Sequence, residues 1–120
     1  MRSLMLRRAI AASLFLSASS FAFLPAHAET TLCTVLSTFP ATISSPGVYC
    51  LESDPSLSIS TGAAITINAN NVTLDLNSHR LGALAAGTAT QAIGIYALNH
   101  TNITIKNGIV RGFAVGIENY

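Results

Sequence analysis

Asp75 and Lys106 stand first among the residues of this chain whose types and spacing suit chemistry. They close two similar stretches, Asn71-Val72-Thr73-Leu74-Asp75 and Asn102-Ile103-Thr104-Ile105-Lys106. A carboxylate beside an amine can supply an acid and a base for cleaving sugar bonds. Glycoside hydrolysis needs a second carboxylate, however, and none lies between Asp75 and Glu118. The pair therefore reads as a surface ion pair between neighbouring strands, worth less than about 1 kcal/mol. His79 follows a turn beside Arg80 and reads as a turn or surface residue. Arg111 suits either a sugar acid or a solubilising role. Asn71, Asn99 and Asn102 each open an Asn-x-Thr sequon, which matters only in a eukaryotic secretory pathway. No Cys-x-x-Cys pair or Cys/His cluster suggests a metal, so no cofactor is expected.

The ends bound the compartment. Arg2, Arg7 and Arg8 form a basic head, Ala9 to Phe23 is uncharged and mostly apolar, and Ala26-His27-Ala28 offers small residues for signal peptidase. Residues 1–28 read as a cleaved secretory signal, too short and wrongly flanked for a membrane span. Cleavage leaves 92 of 120 residues, one small domain in a secreted or periplasmic product with no membrane segment. Only 9% of residues are charged, with signs mixed, which leaves no basic stripe for nucleic acid. Cys33 and Cys50 are the only cysteines; in an exported chain they are expected to form one disulfide, two free thiols being the alternative.

The elements that must position these groups are short strands. Apolar residues alternate at Ile65 and Ile67, at Val72, Leu74 and Leu76, at Ile93 and Ile95, at Ile103 and Ile105, and at Val115 and Ile117. The stretches also repeat. Val72 aligns with Ile103 and Leu74 with Ile105; after a one-residue slip, Asn77 aligns with Asn107 and Gly82 with Gly112. Ile65-Thr66-Ile67 aligns with Ile93-Gly94-Ile95, then with Val115-Gly116-Ile117, and residues 83–91 read as a small-residue insertion. A period of about 22 residues with short strands predicts an all-β solenoid, in which stacked turns share an inner apolar column. Asn77 and Asn107 are expected to occupy equivalent bends and form a turn ladder, because asparagine tolerates the left-handed backbone region.

Residues Ile65 to Gly82, with Asn102-Ile103-Thr104-Ile105-Lys106-Asn107-Gly108-Ile109-Val110-Arg111-Gly112-Phe113, resemble right-handed parallel β-helix proteins of the pectin-lyase-like superfamily. Phe39 to Asp54 is similar to the lead-in of such domains. The resemblance implies a right-handed parallel β-helix of two to three turns, with residues 29–55 as a capping segment and 56–120 as the turns. It also implies a substrate groove with Thr66, Gly94, Tyr96 and Glu118 on its face and residues 83–91 as its rim. Tyr96 and Thr66 are then the carbohydrate-binding candidates, the Tyr96 ring lying against a sugar. Catalytic members use clustered carboxylates, calcium and a basic residue, and this chain departs from that pattern.

The function expected is an exported, carbohydrate-interacting protein whose partner is a polysaccharide, catalytically silent by itself. A structural or adhesive surface solenoid is the second reading. Tyr120 follows the first strand of a new turn with no polar cap, so the chain is expected to be the N-terminal part of a longer protein and to associate end to end.

Overall fold

The computed structural model describes residues 32–120. The signal segment 1–28 and the first residues of the capping segment lie outside the described residues.

The described residues form an all-β structure of ten short strands: β1 (Thr34–Val35), β2 (Ala41–Ile43), β3 (Gly47–Cys50), β4 (Ala63–Ile67), β5 (Val72–Asp75), β6 (Arg80–Gly82), β7 (Ile93–Tyr96), β8 (Ile103–Lys106), β9 (Ile109–Arg111) and β10 (Val115–Glu118). Every ladder between them is parallel. A first sheet runs β1-β3-β5-β8, a second β2-β4-β7-β10 and a third β6-β9. Ser56 extends the third sheet below β6 by a parallel bridge to Gly82. From β4 onward the chain visits second, first and third sheet in turn and returns to the second. Before that β1, β2 and β3 alternate between first and second sheet, with only the Ser56 bridge on the third, and neighbours within each sheet follow sequence order.

Alternation accounts for the first sheet. Val72, Leu74 and Leu76 are buried, while Thr73 and Asp75 between them are half-buried. Val72 lies beside Ile103 and Leu74 beside Ile105, the register expected from the repeat. Ile43, Leu51, Ile65, Ile67, Leu81 and Ile95 complete the set of large, fully buried side chains. Cys33 and Cys50 form a disulfide that ties the residue before β1 to the end of β3.

The bends fall on asparagine. Asn71, Asn77, Asn99, Asn102 and Asn107 all have φ between 50° and 59°, where a side-chain amide can stand in for lost backbone partners. Two registers differ from those the repeat suggested. Ile65 pairs with Ile95 rather than Ile93, and Thr66 with Tyr96. Gly94 and Ile95 are both buried, which breaks strict alternation in β7 and sets Ile95, not the half-buried Ile93, beside the buried Ile65. A Cβ at Gly94 would collide with Val110 and the Gly116 carbonyl, so only glycine fits there. Gly82 pairs with Arg111, not Gly112. Asn77 and Ser78 both take left-handed conformations after β5, whereas Asn107 alone does so after β8, and the later bend is shorter.

The insertion at residues 83–91 carries a 3-10 turn, Leu84–Ala86. Thr90 pins its far end: its buried hydroxyl donates to the Ile59 carbonyl at 2.9 Å and accepts from the Ala92 amide at 3.1 Å.

Candidate functional site

The second sheet presents one continuous row. Its registers bring Thr42 beside Thr66, Thr66 beside Tyr96, and Tyr96 beside Glu118. Thr66 stands between buried Ile65 and Ile67, and Tyr96 between buried Ile95 and Ala97, so both side chains face away from the core. Thr66, Tyr96 and Glu118 are half-buried and Thr42 is exposed. Rungs about 4.8 Å apart give the row a length of roughly 14 Å. It offers three hydroxyls, one of them on the Tyr96 ring, and a carboxylate in line.

Glu118 is engaged locally. The Tyr120 hydroxyl donates to its Oε1 at 2.7 Å. That hydrogen bond, with the nearby negative charge, lifts the Tyr120 phenol above its ordinary 10.0.

Asp75 and Lys106 lie side by side on the first sheet, with Nζ 3.9 Å from Oδ2. Asp75 does more for the bends: its Oδ1 accepts from the Asn77 amide N–H at 2.8 Å and from Asn107 Nδ2 at 3.2 Å. Asn77 Nδ2 donates to the Leu51 carbonyl at 3.2 Å. The amide-to-amide step between stacked asparagines occurs one bend earlier, where Asn102 Nδ2 donates to Asn71 Oδ1 at 2.8 Å.

Two polar groupings had no clear signal in the sequence. Asp54 Oδ1 accepts from the Arg80 amide N–H at 3.1 Å and lies 2.9 Å from His79 Nδ1. The Arg80 N–H first, and His79 second, hold the Asp54 carboxyl below its ordinary 3.8. Asp54 belongs to no repeated motif, so only the fold reveals its partners. His100 sits between Asn68 and Asn70, each ring nitrogen 3.2 Å from an amide oxygen. The matching stretches Asn68-Ala69-Asn70-Asn71 and Asn99-His100-Thr101-Asn102 were the available clue.

Among the described residues, no three His, Cys, Asp or Glu side chains gather as a metal site would require. No helix among them is long and apolar enough to cross a membrane. Comparison with protein-family models, with curated proteins and with solved structures found no match. The disulfide suits an oxidising, extracellular-type environment.

Proposed function

We propose that the three sheets are faces of one right-handed parallel β-helix of two to three turns, akin to the pectin-lyase-like proteins. In this reading the protein is secreted or periplasmic and holds a polysaccharide on the outer row of its second sheet without cleaving it. The cyclic order in which the chain visits the sheets supports the coil. The observation that carries the binding role is the row Thr42, Thr66, Tyr96 and Glu118. A rung spacing near 4.8 Å is commensurate with one sugar ring per rung. Tyr96 supplies the stacking surface, and Thr66 supplies a hydroxyl to fix orientation. Glu118 stands in the row as one carboxylate bound by Tyr120, which does not make the two-carboxylate arrangement of a glycosidase.

Calorimetric titration with neutral and uronate oligosaccharides tests this. Saturable binding that Tyr96→Ala weakens at least tenfold, about 1.4 kcal/mol, is expected, as is no rise in unsaturated-uronide absorbance with or without calcium. Binding untouched by Tyr96→Ala would remove the row from the account.

A second reading, a structural or adhesive solenoid that associates end to end, is favoured by a different observation. Strands β8, β9 and β10 are the edges of their sheets, and a recess of about 470 Å³ opens among Leu76, Ile105, Val110 and Ile117. Absence of saccharide binding together with self-association would favour it.

A further inference from the structure

The outer face of the third sheet rests on neither reading above. Leu81 is fully buried and Val110 packs against the core, so Arg80, Gly82, Ile109 and Arg111 stand on the opposite face. Gly82 lies between Ser56 on one rung and Arg111 on the next. Having no side chain, it leaves a gap in that row; a Cβ there would meet only the Pro55 carbonyl, at an ordinary 3.7 Å. The gap is a recess of about 70 Å³ lined by Asp54, Ser56, Gly82, Leu84 and both arginines. A recess of that size has room for a group of a few heavy atoms.

Charge sharpens the argument. The described residues hold three Lys or Arg side chains: Arg80, Lys106 and Arg111. Lys106 is paired with Asp75, and the other two line this one recess. Among the described residues neither guanidinium lies within ion-pair distance of a carboxylate. Asp54 is present, but its Oδ1 is occupied by His79 and by the Arg80 backbone N–H. The two arginines stand diagonally on adjacent strands, and with Asp54 they leave the recess one net positive charge, which attracts an anion. A guanidinium presents its N–H groups as a planar fork that matches two oxygens of one acid group. Ser56 adds a hydroxyl donor at the rim.

We propose that Arg80 and Arg111 form a binding site for a single oxyanion, with Gly82 as its floor: a sulfate, phosphate or carboxylate, free or carried on a larger molecule.

The test is a backbone-amide NMR titration of the whole protein with sodium sulfate against sodium chloride at matched ionic strength. Saturable shifts centred on Arg80, Gly82 and Arg111 are expected with sulfate only. Arg111→Gln should weaken binding about tenfold, and Arg80→Gln with Arg111→Gln should abolish saturation. Gly82→Val keeps both charges and fills the recess, so it should also abolish binding while the remaining spectrum stays dispersed. A sulfated and an uncharged oligosaccharide of equal length separate the sources: tighter binding of the sulfated chain than of free sulfate identifies a carried group, and equal binding identifies the free ion. Shifts that rise linearly, or that persist in Gly82→Val or the double variant, would overturn the site.

Discussion

A carboxylate that looks like half of a catalytic pair can instead be the fastener of two bends, and Asp75 is such a residue. Its Oδ1 receives hydrogen bonds from Asn77 and Asn107, while its link to Lys106 is long and half-exposed. Asp75→Ala should therefore lower stability by about 1 kcal/mol, the net worth of ordinary hydrogen bonds whose exposed donors can turn to water. Lys106→Ala should stay within about 0.5 kcal/mol. Urea denaturation distinguishes them, and equal losses would return the weight to the ion pair. Asp54 gives a pH-dependent case. Its folded pKa lies below the ordinary 3.8, so its contribution is complete above that pH and is lost as pH falls through the lower, folded value. The Arg80 amide resonance should report this acid transition, and Asp54→Asn should erase it. The sequence made the Asp75–Lys106 adjacency legible because both residues end copies of one motif. It concealed Asp54–His79 because that contact joins a residue outside the repeat to a residue inside it.

Strands and bends were legible in proportion to how unambiguously their residues repeat. The β5–β8 register could be read directly, since Asn-Val-Thr-Leu matches Asn-Ile-Thr-Ile in only one way. The β4–β7 register could not, because Ile-x-Ile fits Ile93 to Ile95 at two offsets. The choice falls to which isoleucine of β7 is buried, and Ile95 following the buried Gly94 is a break that no alternation of polar and apolar residues encodes. That choice also decides the candidate row, by setting Thr66 beside Tyr96. Gly108 marks a second close approach: a Cβ there would strike Leu76 and lie 2.6 Å from the His79 carbonyl oxygen. Because backbone must yield, Gly108→Ala should cost about 1–3 kcal/mol even though the position is solvent-exposed. Gly116→Ala, with open space around its Cβ, is the matched control. Thermal melts of the two variants should separate, and coincident melts would show that the bend relaxes freely.

For the molecule as a whole, the edges govern behaviour. Ile109, Val115 and Ile117 are 52%, 42% and 47% exposed along β9 and β10, whose outer edges pair with no other strand among the described residues. Open edges with apolar flanks template pairing with another copy. Light scattering on dilute protein should detect dimers or larger species, and Ile117→Lys should shift them toward monomer by placing a charge on that edge. A wild-type protein that stays monomeric at every concentration would leave these edges without a partner. All-β character and parallel stacking were visible from composition and period. The small-residue loop before β7 was visible only as an interruption; its anchoring through Thr90 to Ile59 required the fold.

The sequence-ordered stacking of strands has a consequence in time. β3 lies on β1, β4 on β2, β5 on β3, and so on, each strand completing its predecessor's rung and needing nothing that comes later. Such a chain can add its strands in sequence order, N-terminus first, with the Cys33–Cys50 disulfide closed before the last strands pair. Pulse-labelled hydrogen exchange during refolding should then protect β3 and β5 no later than β9 and β10. The reverse order would mean that the sheets assemble from their C-terminal strands.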